Sequence, residues 1–180
     1  SQGYCKVCQA GSVTDTLANP GATTCTPCAA GTYSEESKES CSGCAAGAIT
    51  TTGADAGATS CTRCAAGKYS TASNLATACI SCSPGRYVEG TGKSQESDCE
   101  LCAAGSITNT GQGAGANICT ECAIGKYSTA STGACTPCPA GYYAENEHGS
   151  SECALCAPGE YQDADSQGYC KVCQAGSVTD

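Results

Sequence analysis

The sequence predicts small disulfide-rich modules of β and irregular structure in tandem: an elongated quasi-one-dimensional rod or solenoid with no conventional hydrophobic core and little or no helix. Three observations lead there. Twenty of the 180 residues are cysteine, and all fall into ten C-x-x-C pairs, opening at Cys5, Cys25, Cys41, Cys61, Cys79, Cys99, Cys119, Cys135, Cys153 and Cys170. The large apolar residues are four Leu, five Ile and five Val, with no Phe, Trp or Met, too few to fill an ordinary core at this length. Residues 166–180, SQGYCKVCQAGSVTD, repeat residues 1–15 letter for letter, and identity of that extent marks a repeat.

The cysteine pairs divide the 165-residue repeat into nine modules: 5–24, 25–40, 41–60, 61–78, 79–98, 99–118, 119–134, 135–152 and 153–169, with 170–180 starting the next copy. Three positions after the second cysteine of every pair stands a glycine: Gly11, Gly31, Gly47, Gly67, Gly85, Gly105, Gly125, Gly141, Gly159 and Gly176. A glycine fixed there suits a tight turn with positive φ, or a close backbone approach beside a cystine. Two residues further stands Val, Ile or Tyr: Val13, Tyr33, Ile49, Tyr69, Tyr87, Ile107, Tyr127, Tyr143, Tyr161 and Val178. These types favour strands, and each is expected on a short strand covering its cystine. Loops such as ANPGATT, TTGADAGATS and GQGAGAN carry turn chemistry, and no run keeps a 3.6-residue period long enough for a helix. Short hairpin arms and irregular loops are therefore expected. Modules opening at Cys5, Cys41 and Cys99 read GSVTDT, GAITTT and GSITNT after the cysteines, and each is followed by a tyrosine module. That grouping reads as duplication history.

One large apolar side chain per module does not offset the entropy of ordering about 18 residues, so the modules need cross-links. A chain this poor in large apolar residues, with a net charge of −9, is otherwise disordered. Such cysteine density belongs to a disulfide framework in an oxidising compartment or to a metal-loaded intracellular protein, and composition leaves both open. No apolar run approaches the roughly 20 residues of a membrane span, and none has the form of a signal-peptide core. The absence of Met, even at position 1, points to a mature fragment with any targeting signal or anchor outside it. With 17 acidic against 8 basic residues, nucleic acid is not an expected partner.

The repeated CxxCxxGxY followed by a Ser/Thr/Gly-rich loop resembles the tandem ephrin-receptor-like cysteine-rich repeats of extracellular and protist surface proteins, over essentially all 180 residues. It is also similar to the first half-module of tumour-necrosis-factor-receptor repeats, in which the cysteine before xxGxY bonds to the next cysteine along the chain. The interlocking second half of that repeat is missing here. The resemblance implies the disulfides Cys8–Cys25, Cys28–Cys41, Cys44–Cys61, Cys64–Cys79, Cys82–Cys99, Cys102–Cys119, Cys122–Cys135, Cys138–Cys153 and Cys156–Cys170. Cys5 and Cys173 are left over. By the 165-residue translation they correspond to Cys170 and Cys8, so their partners are expected in neighbouring copies, a preceding Cys156 and a following Cys25. The stretch then reads as a window on a longer array, whose partners are further copies of itself by continuation or self-assembly.

Other chemistries have partial signals in the sequence. Zinc is the strongest rival, because CxxC-x16-CxxC lies within zinc-ribbon spacing. Against it, the glycine falls three residues after the second cysteine, and little basic surface accompanies ten pairs. Asp163, Asp165, Gln167 and Gly168 occupy positions of a calcium loop (DADSQG), but position 12 is Gln174 and Cys170 lies inside it; a solvated acidic turn is expected. GTGKS at 90–94 lacks the first glycine of a phosphate loop, where Tyr87 stands. His148, the single histidine, reads as an exposed loop residue in AENEHGS. Ten equivalent CxxC pairs read as staples rather than one redox centre.

No catalytic residue, metal site or cofactor is therefore expected, and the chain is not read as an enzyme. The expected function is an extracellular or cell-surface structural protein, a filament, coat or appendage. The 41 Ser and Thr residues are candidate O-glycan acceptors, and no N-x-[ST] sequon occurs. A receptor or adhesin ectodomain binding a protein or glycan is the alternative.

Overall fold

The structure, a computed structural model, describes residues 7–35, 40–71, 75–130, 133–145 and 149–176. Cys5, Tyr4, His148 and Val178 lie outside the described residues.

The chain is a tandem series of antiparallel two-stranded hairpins. In chain order they are β1 (Ser12–Thr14) with β2 (Cys25–Pro27), β3 (Thr32–Tyr33) with β4 (Ser42–Gly43), and β5 (Ala48–Thr50) with β6 (Cys61–Arg63). Next come β7 (Lys68–Tyr69) with β8 (Ile80–Ser81), β9 (Arg86–Tyr87) with β10 (Glu100–Leu101), and β11 (Ser106–Thr108) with β12 (Cys119–Glu121). Last are β13 (Lys126–Tyr127) with β14 (Thr136–Pro137), β15 (Tyr142–Tyr143) with β16 (Ala154–Leu155), and β17 (Glu160–Tyr161) with β18 (Lys171–Val172). Among the described residues there is no α-helix, and Glu96–Asp98 forms a single 3-10 turn.

Each first strand is launched by the glycine turn. Ser12 N–H donates to the Gln9 carbonyl at 3.1 Å, with Gly11 at φ +85° as the third residue of the turn, a geometry that disfavours any residue with a Cβ. SPGR and APGE place Pro before that glycine, where its fixed φ suits the turn. The second strand comes from the next cysteine pair: Thr14 lies opposite Cys25 and Ser12 opposite Pro27. Every hairpin therefore straddles a boundary of the cysteine-to-cysteine modules.

The interior is made of cystine sulfur and small residues. Cys8, Cys28, Cys44, Cys64, Cys82, Cys102, Cys122 and Cys138, the second members of their pairs, are buried, and the largest fully buried side chains are Thr50 and Thr108. All four leucines are exposed. Of the strand residues, Val13 and Tyr69 are buried, whereas Tyr161 is exposed. The buried hydroxyls bond locally: Thr50 Oγ1 to the Gly53 carbonyl at 2.9 Å and Thr108 Oγ1 to that of Gly111 at 2.7 Å. Those bonds, with Thr52 to Asp55 and Thr110 to Gly113, explain the T-x-T of GAITTT and GSITNT. Each threonine closes its own turn.

The hairpins gather into two compact units, Ser1–Ser81 with Gly90–Asp98, and Cys82–Glu89 with Cys99–Asp180.

Candidate functional site

The feature that recurs along both units is the junction between successive modules, built from main chain. Its first rung runs from the turn glycine to the carbonyl after the next module's strand residue: Gly11 to Ser34 (2.7 Å), Gly47 to Ser70 (2.8 Å), Gly105 to Ser128 (2.7 Å), Gly125 to Ala144 (3.1 Å) and Gly141 to Gln162 (2.7 Å). A second rung runs from a loop N–H back to the preceding module's second cysteine: Gly57 to Cys28, Gly92 to Cys64, Gly115 to Cys82 and Ser166 to Cys138, at 2.8–2.9 Å. A third joins the N–H after the strand residue to the next loop, as in Ser34 to Ala58 (3.1 Å) and Ala144 to Gln167 (3.1 Å). It gives the parallel bridges Tyr33↔Ala58, Tyr69↔Lys93, Tyr87↔Ala116 and Tyr127↔Ser150.

The spine glycines serve two purposes at once. All ten have positive φ, from +77° at Gly85 to +88° at Gly176. Several also lie against backbone two modules on: a Cβ on Gly11 would stand 2.3 Å from the Gly57 carbonyl oxygen, on Gly47 2.1 Å from that of Gly92, and on Gly105 2.3 Å from that of Gly149. The turn geometry was readable from the sequence; the contact with the module after next was not. Sequence reasoning also passed over the residue that follows each strand residue, which is buried at Ser34, Ser70, Val88, Ser128, Ala144 and Gln162, and the loop alanines Ala58 and Ala116. Small residues three places before a cysteine pair were the available signal.

Disulfides join Cys8–Cys25, Cys28–Cys41, Cys44–Cys61, Cys64–Cys79, Cys82–Cys99, Cys102–Cys119, Cys122–Cys135, Cys138–Cys153 and Cys156–Cys170, with Cα–Cα separations of 5.5–5.8 Å. Among the described residues Cys173 is the free cysteine, half-buried. Within a C-x-x-C pair one cysteine bonds backward and the other onward, so four thiolates do not converge as a zinc ribbon requires. No group of three or more potential metal ligands occurs among the described residues.

The remaining motifs are absorbed by local structure. In DADSQG, Asp163 pairs with Lys171, Asp165 Oδ1 accepts from Ala140 N–H at 3.0 Å, and the Gln167 carbonyl accepts from Ala144 N–H at 3.1 Å. These oxygens serve separate protein donors. In GTGKS, Gly92 N–H and the Lys93 carbonyl form junction rungs, and Ser94 N–H donates to Asp98, so the loop does not offer a nest of free amides. A recess of about 260 Å³ is lined by Tyr143, Glu145, Ser150 and Glu152 among others.

The charged groups with displaced titration lie at the surface, Lys171 among them on β18. Hydrogen bonds from the Thr23 side chain hold Asp15 below the ordinary aspartate value, those from the Ser94 backbone do so for Asp98, and the Lys171 ammonium does so for Asp163. Lys171 is raised in return by Asp163, and its ammonium stands 5.7 Å from the Tyr161 ring centre.

Nine disulfides fit an oxidising compartment, and no helix among the described residues is long and apolar enough to cross a membrane. The chain is thus a tandem array of small disulfide-bonded modules; no protein-family model matches it, and no curated protein is significantly similar to it.

Proposed function

We propose that this chain is an extracellular structural protein whose stapled modules stack into a filament, surface coat or appendage, with no catalytic role. The observation that carries the reading is the backbone junction repeated from module to module. Main-chain rungs of this kind depend little on side-chain identity and have no built-in stop, so length follows copy number. Covalent loops restrict the unfolded chain and confer resistance, while exposed Ser and Thr loops supply a hydrated, glycan-accepting exterior. The likeness to ephrin-receptor-like repeats supports an extracellular rod with further copies of itself as partners.

A receptor or adhesin ectodomain is the second reading. It draws on the apolar residues exposed between paired cysteines within one unit, Leu101, Leu155 and Val172, since exposed apolar side chains suit a protein partner. Electron microscopy of native material separates the two. Filaments with an axial repeat matching nine modules support the structural reading, isolated rods on a membrane support the receptor, and compact discrete particles contradict both.

A further inference from the structure

We infer that Asn117 carries an N-linked glycan, added while Cys119 is still a thiol and before the Cys102–Cys119 bond closes the loop. The inference rests on the extracellular part of the reading above and names the modified atom, Asn117 Nδ2.

The chain has five asparagines, Asn19, Asn74, Asn109, Asn117 and Asn146, and only Asn117 has Ser, Thr or Cys two residues on, in Asn117-Ile118-Cys119. Glycosyl transfer to asparagine reads the hydroxyl at the third position of N-x-[ST]. A thiol offers a weaker donor of the same kind there, and a disulfide sulfur offers none. In the folded chain Cys119 is bonded to Cys102, so the finished loop is no substrate. The order of events supplies the opening. At a synthesis rate of about 5–20 residues per second, Cys119 follows Asn117 in under about one second. Disulfides take seconds or longer to form, so the sequon passes complete, with its thiol.

The folded loop accommodates the product at that one atom. Asn117 N–H donates to Asn109 Oδ1 at 3.2 Å, and Asn109 Nδ2 donates to Asn117 Oδ1 at 2.7 Å. A backbone N–H can only donate, so it holds Asn109 with its oxygen toward the Asn117 backbone and its Nδ2 free to reach the Asn117 side chain. Asn117 must then accept through Oδ1, which leaves its own Nδ2 turned away from Asn109. No described residue accepts a hydrogen bond from that Nδ2. Asn117 is half-buried, between Asn109 and Ile118, which are exposed. A glycan on Nδ2 therefore removes none of the hydrogen bonds that hold the loop. Asn109 is the contrast within the same pair: both of its amide atoms are engaged, and Gly111 stands two residues on.

The donor is an oligosaccharide carried on a polyprenyl diphosphate. The bond from Nδ2 to the sugar C1 forms as the bond from C1 to the diphosphate oxygen breaks; the lipid diphosphate leaves with the electron pair, and Nδ2 gives up one proton. Closure of Cys102–Cys119 afterwards passes an electron pair to a disulfide oxidant of the secretory compartment, as at the other cystines.

The full chain, reduced or fully oxidised, is incubated with oligosaccharyltransferase and lipid-linked oligosaccharide. Release by peptide N-glycosidase in 18O water then marks each occupied asparagine as labelled aspartate for peptide mapping. The expected result is label at Asn117 alone in the reduced chain, and its loss in the oxidised chain, in Asn117→Gln and in Cys119→Ala. Cys119→Ser should raise the label above the parent. The acceptor is the unfolded chain, so none of these outcomes depends on a variant folding. Native material should carry the glycan and the Cys102–Cys119 bond in the same disulfide-linked peptide pair. No label in the reduced chain, equal label in the oxidised chain, label at another asparagine, or native protein with a bare Asn117 overturns the inference. A bare Asn117 on native extracellular filaments overturns the glycan and leaves the structural reading standing; a glycosylated Asn117 on isolated membrane rods does the reverse.

Discussion

Substituting alanine at Gly47 and at Gly141 separates the two demands on a spine glycine. Both have φ +84°, but a Cβ on Gly47 falls 2.1 Å from the Gly92 carbonyl oxygen, and on Gly141 it meets nothing within 4 Å. The left-handed backbone costs either alanine about 1–2 kcal/mol, partly offset by about 0.4–1 kcal/mol from the stiffer unfolded chain. At Gly47 the neighbouring carbonyl must also retreat by about 1 Å to reach ordinary contact. That retreat breaks the rungs from Gly47 to Ser70 and from Gly92 to Cys64, both 2.8 Å, each contributing about 1 kcal/mol. Gly47→Ala should therefore destabilise its junction by roughly 3 kcal/mol and Gly141→Ala by about 1 kcal/mol. Hydrogen exchange on dilute, oxidised protein reads both as local opening. Amides at Gly47 and Gly92 should exchange about two decades faster in the first variant, and those near Gly141 less than about one decade faster in the second. Equal losses would mean that the glycine serves its own turn alone and that the contact two modules away carries no energy.

Replacing Cys64 and Cys79 together by Ala opens a loop of sequence separation 15 and should cost about 3 kcal/mol. Peptide-resolved exchange should show the loss confined to adjacent hairpins, since stability in such arrays couples between neighbours; loss spread along the whole chain contradicts that. Leu17 sits at φ 54° where Gly53 and Gly111 stand in the equivalent turns at 60° and 59°, and its side chain is exposed. Leu17→Gly should stabilise the Asp15–Thr24 turn by up to about 1 kcal/mol, seen as slower exchange there, and faster exchange would contradict it. Asp15, Asp98 and Asp163 titrate below the ordinary aspartate value, near 3.9 in unfolded chains. The unfolded chain then takes up these protons first, so their contribution is present above about pH 4 and lost as pH falls through the lower folded values. Lys171 is the opposite case: its raised value makes its contribution present below the ordinary lysine range and lost at higher pH. Carboxyl NMR titration checks the sign, and a midpoint for Asp15 at or above 3.9 would refute it.

What could be read along the chain was whatever depends on residues a few places apart. C-x-x-C-x-x-G-x-Φ specifies a buried cysteine, a turn with positive φ and a short strand, because turn chemistry and strand preference act over three to five residues. The scarcity of large apolar residues likewise excluded a packed core, and all four leucines are exposed. The spacing of twenty cysteines left open which would meet which; hairpin register, with Thr14 opposite Cys25, decides that in space. DADSQG and GTGKS carry ligand-like patterns, yet their amides and carbonyls are taken up by the junction, which no local pattern reveals. The contact of Gly11 with Gly57 or Gly47 with Gly92 is main chain against main chain two modules away. Backbone groups are the same at every residue, so such contacts leave only the imprint of a missing side chain, and the second purpose of glycines such as Gly11, Gly47 and Gly105 is visible only in the tertiary structure.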